Sequence, residues 1–275
     1  MLMKTTSSEK IAENCVIDWQ SDPHLLVSGR TSSGKSTVLE NILLSSMSFK
    51  KSMCAKVYII DGKGSDLSTL YSDIPVAVSP NQTAKMLRVL TANMHKRYER
   101  FSGEFGKVAA DYHDTEGRTV RQVVLIIDEL AVLLNDVKTR SEIQRYLFEL
   151  LIAARQASIY VAAFCRKKVV VGIQRPSAEI FPRDTSLQFN NRILLAPNST
   201  DLDTKRMLFP MTDSKALPLT ENIRGAGLFY KNEFLVPQPV YFPDMSGVDI
   251  PRTVKRINGE VNENWFIKEE YWKEP

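Results

Sequence analysis

Residues 29–36 constrain the fold more than any other part of the sequence, because they have the spacing G-x-x-x-x-G-K-S of a phosphate-binding loop. The apolar run 24–28 precedes this segment and a helix-like stretch, 36–46, follows it. In a strand–loop–helix context, glycines permit a turn whose backbone N–H groups face phosphate oxygens, and the helix N-terminus adds partial positive charge. The sequence therefore predicts a nucleotide site on Gly29, Arg30, Thr31, Ser32, Ser33, Gly34, Lys35, Ser36 and Thr37.

Two side chains of this loop carry the expected chemistry. Lys35 is expected to place its ammonium group near the β- and γ-phosphates, and the Ser36 hydroxyl is expected to bind Mg²⁺. The expected ligands are therefore ATP and Mg²⁺.

An acidic pair ends the most apolar run of the chain, residues 123–127. Asp128 is expected to hold the Mg²⁺ shell, and Glu129 is expected to accept a proton from the attacking water. Adjacent carboxylates favour an NTPase with its own water-activating glutamate over a kinase or a GTPase switch.

The rest of the chain alternates short aliphatic runs with longer amphipathic stretches, which predicts βαβ units around a mainly parallel sheet with helices on both faces. Strands are expected at 24–28, 57–60, 123–127, 169–172 and 193–196, and helices at 36–46, 83–101 and 139–167. Residues 227–240 predict a terminal hairpin or an edge strand. Gln174 follows the run 169–171, and its amide is a candidate contact for the γ-phosphate.

Several segments, in the same order along the chain, resemble motifs of the FtsK/SpoIIIE-type DNA translocases of the FtsK–HerA group of motor ATPases. The matching segments are 23–36, 59–67, 94–99, 127–131, 174–177, 192–193, 202–205 and 225–230. The sequence departs from the family at Arg30, which replaces a small residue, and at Gly62, where proline is usual. In the family, a short segment leads into the strand that precedes the glutamine. This segment matches either residues 155–160 or residues 166–169 of the sequence.

The resemblance implies a RecA-like α/β P-loop ATPase domain over residues 16–240, an N-terminal extension over 1–15 and a C-terminal tail over 241–275. It implies a homo-oligomeric ring, a hexamer when active, with ATP at subunit interfaces and DNA in the central channel. An arginine from the neighbouring subunit would reach the γ-phosphate, with Arg192 the candidate ahead of Arg206. Lys107 and Arg175 are candidates for contacts with DNA phosphates.

Composition limits the class of protein. A hydrophobic fraction of 43% excludes wholesale disorder, and the longest apolar runs are too short to cross a bilayer. Three scattered cysteines and the lack of a leader-like N-terminus favour the cytoplasm.

The membrane segments and winged-helix module of chromosome-segregating members are absent from this sequence. We therefore expect a plasmid or conjugative coupling ATPase, recruited by membrane or relaxosome proteins and able to be monomeric in isolation. Two alternatives remain open: a nucleotide-dependent scaffold without useful turnover, and a P-loop phosphotransferase.

Overall fold

The computed structural model describes residues 8–12, 14–48, 54–64, 66–166, 187–213 and 215–267. The chain divides into two compact units. The first unit comprises Met1–Ser45 and Ala162–Val248, and the second comprises Ser46–Val161 and Asp249–Pro275.

The strands are β1 (Ser8–Ala12), β2 (Cys15–Asp18), β3 (Leu25–Gly29), β4 (Lys56–Asp61), β5 (Val76–Ala77), β6 (Val123–Asp128), β7 (Ile159–Arg166), β8 (Asn191–Leu195), β9 (Ala226–Lys231) and β10 (Gln238–Tyr241). The α-helices are α1 (Lys35–Ser48), α2 (Pro80–Phe101), α3 (Leu130–Leu133), α4 (Arg140–Ala153), α5 (Leu202–Leu208) and α6 (Ile250–Glu260). Short 3₁₀ turns lie at Asp66–Ser72, Ala109–Asp111, Pro197–Ser199 and Glu263–Trp265. The main sheet is mixed and mostly parallel and is flanked by helices, which confirms the predicted fold class.

In the first unit the strand order is β10-β9-β8-β3-β7. Strand β3 is buried along its whole length and runs parallel to both β7 and β8. Strands β8, β9 and β10 pair antiparallel, which confirms the hairpin predicted for residues 227–240. Strands β1 and β2 form a separate two-stranded sheet. The phosphate-binding segment thus leaves the carboxyl end of a central, fully buried strand.

In the second unit the strand order is β7-β6-β4-β5, and β4 runs parallel to both β5 and β6. The register pairs Asp61 with Asp128, so the two strands end together. Helix α2 begins with a capping box, in which Ser79 and Gln82 each bind the other's backbone N–H, and Pro80 occupies the first turn. Helix α2 packs against α4 and also contacts β5.

The structure corrects one predicted element. The helix expected over residues 139–167 ends at Ala153, and residues 159–166 form β7. The reason is local composition, because Ile159–Phe164 is rich in β-branched, aromatic and small apolar residues and is entirely buried. Residues 155–160 therefore lead into β7. Residues 167–169 of the other possible link, and the strand predicted at 169–172, lie outside the described residues.

Candidate functional site

The loop between β3 and α1 has the backbone of a phosphate-binding turn. Ser32 and Gly34 have positive φ angles of 65° and 101°. The backbone N–H and the hydroxyl of Ser33 both donate to the carbonyl of Arg30, at 3.2 and 2.7 Å. These two bonds close the turn internally, and such left-handed positions orient backbone N–H groups toward an anion.

The Lys35 ammonium lies against the start of the same loop. Its Nζ donates to the carbonyls of Gly29 and Arg30, at 2.6 and 2.9 Å. The residue is only 8% exposed, so its positive charge is held within the loop. Ser36, one position later in the first turn of α1, is exposed. The structure therefore holds the Lys35 charge inside the loop and leaves the Ser36 residue exposed at the start of α1.

Steric limits explain both glycines of the loop. A Cβ on Gly29 would lie 2.6 Å from the Ser33 hydroxyl and 2.9 Å from the Leu195 Cβ. A Cβ on Gly34 would lie 2.7 Å from the backbone nitrogen of Gly225, and its φ of 101° also favours glycine. No larger residue fits at either position without moving the backbone.

A backbone brace, formed by Gly225 and Phe242, supports the loop from the same unit. The Gly225 N–H donates to the carbonyl of Ser33 at 3.1 Å, and the Gly225 carbonyl accepts from the N–H of Phe242 at 3.0 Å. Sequence reasoning missed this role. Its only signal was the match of residues 225–230 to a family motif, which gave the glycine no function.

The rim of the loop faces solvent. Arg30, Thr31 and Ser32 are exposed, and Arg30 Nη1 donates to the carbonyl of Ser199 at 3.4 Å. Thr37 is buried on the inner side of α1. The unusual Arg30 therefore adds a solvent-exposed positive charge beside the expected phosphate position.

The acidic strand end belongs to the second unit. Strand β6 is buried up to Ile127, Asp128 is half-buried, and Glu129 is buried with a left-handed φ of 57°. The Gly62 N–H donates to the carbonyl of Asp128 at 2.9 Å, and a Cβ on Gly62 would collide with the carbonyl of Glu129. The family's usual proline could not donate this bond, so glycine at position 62 matches the local geometry.

A lysine lies beside the buried glutamate. Lys63 Nζ is 3.9 Å from Glu129 Oε2. The Lys63 N–H donates to Asp61 Oδ1 at 3.1 Å, and Asp61 is fully buried at the end of β4. Sequence reasoning placed Lys63 only within a motif and gave it no role.

The structure changes the choice of an arginine that could act on a neighbouring subunit. Arg192 is 4% exposed, and its guanidinium donates to the carbonyls of Phe189 and Leu208, each at 2.9 Å. Burial also lowers the pKa of Arg192. Arg206 lies in the last turn of α5 with 62% of its side chain exposed, 3.6 Å from Asp203 Oδ1. The bonds of Arg192 hold it within its own unit, so Arg206 becomes the better candidate.

Of the two candidate DNA contacts and the glutamine expected at the γ-phosphate, the structure describes one residue. Lys107 is exposed, in the loop that follows α2. Gln174 and Arg175 lie outside the described residues.

Among the described residues, no group of three His, Cys, Asp or Glu side chains could hold a metal ion by itself. Ser36 and Asp128 each carry an oxygen donor of the type that Mg²⁺ binds, since this ion takes few protein ligands together with waters and phosphate oxygens.

No helix in the described part of the chain is both long and apolar enough to cross a membrane.

Comparison with known sequences gives a consistent set of relatives. The model of the FtsK/SpoIIIE family matches residues 5–177. The DNA translocase FtsK of Caldanaerobacter subterraneus subsp. tengcongensis is 29% identical over 214 residues, covering 75% of this chain and 28% of that protein. The DNA translocase FtsK of Clostridium acetobutylicum is 29% identical over 272 residues, covering 94% and 33%. The chain therefore spans about a third of the length of these relatives.

Solved structures show the same fold. The monomer form of the pCW3 conjugation coupling protein TcpA, with ATPγS, superposes with a TM-score of 0.73 at 24% identity, covering 92% of this chain and 71% of that one. ATPases 2 and 3 of EssC from Geobacillus thermodenitrificans superpose with a TM-score of 0.66 at 17% identity, covering 91% and 46%.

Proposed function

The chain belongs to the FtsK/SpoIIIE family, and from this premise we propose that it is an ATPase that couples ATP hydrolysis to the movement of DNA. The observation that carries the proposal is the loop at residues 29–36. Its glycines are sterically required, its lysine is held against the loop, and its serine is exposed at the start of α1. This arrangement suits the triphosphate of ATP with Mg²⁺.

Within the proposed reaction, the loop backbone and Lys35 bind and orient the phosphates. Ser36 and Asp128 would hold Mg²⁺, which neutralises charge on the phosphates when bound. Glu129 removes a proton from the attacking water, and Gln174 contacts the γ-phosphate. The burial of Glu129 at a strand end supports its assignment as the base, because a carboxylate with few solvent contacts has a defined orientation.

The proposed motor is a homo-oligomeric ring, a hexamer when active, with DNA in its channel. An exposed arginine, Arg206, reaches the nucleotide of the adjacent subunit, and Lys107 and Arg175 contact DNA phosphates. Contacts of this kind make binding independent of sequence and sensitive to salt. Fold similarity to a conjugation coupling protein favours transfer of plasmid or conjugative-element DNA in the cytoplasm, with membrane or relaxosome proteins as recruiting partners.

A DNA-stimulated ATPase assay tests the proposal, with Lys35→Ala as the matched control. The motor predicts that DNA raises the ATPase rate and that Lys35→Ala abolishes both the basal and the stimulated rate. ATP binding without turnover would identify a scaffold. Phosphorylation of a small molecule would identify a phosphotransferase. Either result would overturn the motor.

A further inference from the structure

We propose that Lys63 is a positioning residue that holds the Glu129 carboxylate in the orientation needed for ATP hydrolysis. The inference rests on the proposed function, in which Glu129 is the base, and it assigns a role to a side chain outside the nucleotide loop. The observation behind it is the 3.9 Å separation between Lys63 Nζ and Glu129 Oε2.

The backbone of both residues is fixed. Glu129 has a left-handed φ of 57°, and the Gly62 backbone packs so closely on it that position 62 has no room for a Cβ. The N–H of Lys63 binds the Asp61 carboxylate, and the N–H of Gly64 binds the Asp61 carbonyl at 3.2 Å. A turn anchored on a buried aspartate therefore places the lysine stem beside the glutamate.

The Glu129 carboxylate has little contact with water. Only 10% of the Glu129 side chain and 25% of the Lys63 side chain are exposed. Opposite charges attract each other more strongly where water is scarce, because the local dielectric constant is lower than in bulk solvent. The positive charge of Lys63 therefore draws the carboxylate toward it and limits the orientations that the carboxylate adopts.

The length of the contact matters as well. At 3.9 Å the two groups are within ion-pair distance, but they are too far apart for a direct hydrogen bond. The lysine therefore acts on the carboxylate through its charge. It does not occupy a lone pair that the attacking water would need.

The test compares Lys63→Met, which removes the charge and keeps most of the stem, with Lys63→Arg, which keeps the charge. Lys138→Met, at an exposed lysine of the same unit, is the matched control. We expect Lys63→Met to lower the DNA-stimulated kcat by about 10- to 100-fold. This is smaller than the full rate enhancement of a general base, which is about 100- to 10,000-fold, because Glu129 is still present. The KM for ATP, the affinity for ATPγS and the melting temperature should stay close to those of the wild type, and Lys63→Arg should recover most of the rate.

A double-mutant cycle with Glu129→Gln separates this inference from the proposed function. If Lys63 acts through Glu129, Lys63→Met should cause no further loss in the Glu129→Gln background. A wild-type rate in Lys63→Met, while Glu129→Gln is inactive, would overturn the role of Lys63 alone. A near-wild-type rate in Glu129→Gln would overturn the base assignment itself.

Three further outcomes would also overturn the inference. A faster Lys63→Met enzyme would mean that the lysine restrains Glu129 instead of supporting it. An additional loss in the Glu129→Gln background would mean that Lys63 acts on another group. Equal losses of rate and melting temperature in Lys63→Met and Lys63→Arg would mean that its role is structural.

Discussion

Glu129 has a backbone conformation that is unfavourable for a residue with a side chain. A left-handed φ such as its 57° costs about 1–2 kcal/mol relative to the right-handed helical region. Gly62 stabilises this conformation, because its N–H binds the Asp128 carbonyl and its bare Cα allows the close approach of the Glu129 carbonyl. The position of the proposed base therefore depends on a glycine in the turn that follows a different strand, β4.

Gly62→Ala should displace Glu129, because the added Cβ collides with the Glu129 carbonyl. We expect a loss of kcat of at least about 10-fold, while ATPγS still binds because the contacts of the phosphate loop lie within the first unit. Gly64→Ala is the control, since its Cβ would meet no atom within 4 Å, and its left-handed φ of 62° adds a backbone strain that Gly62→Ala does not have. Similar losses of kcat in the two variants would show that disturbance of this turn, and not the collision with Glu129, causes the effect.

Gly225→Ala should weaken nucleotide binding without touching the nucleotide motif itself. The added Cβ would lie 2.8 Å from the Phe242 carbonyl, at a position with a φ of 86°, and would disturb the N–H that donates to Ser33. We expect the affinity for ATPγS, measured by calorimetry, to fall by about 10-fold or more, which corresponds to about 1.4 kcal/mol. Gly247→Ala is the control, because a Cβ there meets nothing within 4 Å. Unchanged affinity in Gly225→Ala would show that the phosphate loop does not need this brace.

At the scale of elements, helix α2 is tied to the strands of the second unit by a buried arginine. Arg97 is 1% exposed, and its guanidinium donates to the carbonyls of Ala157 at 2.6 Å and Arg121 at 2.9 Å. Those carbonyls lie just before β7 and β6, so one side chain from the helix binds the entry to two strands. Arg97 matches the family's helix motif, and its burial gives it a structural role.

Arg97→Met should destabilise the protein, because it leaves buried carbonyls without their donor. Each unsatisfied group costs about 1–3 kcal/mol, so the free energy of unfolding should fall by at least about 2 kcal/mol. Denaturant unfolding measures this change, and Lys96→Met, at the exposed neighbouring residue, is the control. A loss below about 0.5 kcal/mol would contradict the structural role of Arg97, since that is the ordinary range for surface substitutions.

Residues with expected roles in ATP hydrolysis occur in both units of the molecule. The first unit carries the phosphate loop and Arg206, and the second carries Asp128, Glu129 and Lys63. Strand β7 begins in the second unit and continues in the first. In the proposed ring a complete site also needs a second subunit, because Arg206 would contact the nucleotide bound by its neighbour.

Mixing two inactive variants tests whether Arg206 acts on the nucleotide of a neighbouring subunit. In a mixture of Arg206→Ala and Lys35→Ala, some interfaces combine an intact loop with an intact arginine, so DNA-stimulated ATPase activity should partly return. Each variant alone stays inactive at every concentration. If no ratio restores hydrolysis although both variants fold and associate, Arg206 does not act in trans. The same mixture with Arg192→Ala is the matched comparison, and we expect no recovery there because a buried Arg192 serves its own subunit.

The sequence alone determined those features that depend on neighbouring residues. The phosphate loop was predictable because its glycines, Lys35 and Ser36 are contiguous and its backbone is set by their local conformations. The strand that ends at Asp128 was predictable because five consecutive aliphatic residues precede it, and the terminal hairpin followed from the same kind of pattern.

The tertiary structure alone decided those features that depend on residues far apart in the chain. The support of the loop by Gly225, the charge of Lys63 beside Glu129 and the burial of Arg192 involve partners that no local pattern identifies. The apolar segment at 159–166 is consistent with either a helix or a strand as long as only its own residues are considered. Pairing with β3 makes it a strand, because there its backbone groups form hydrogen bonds and its apolar side chains are buried.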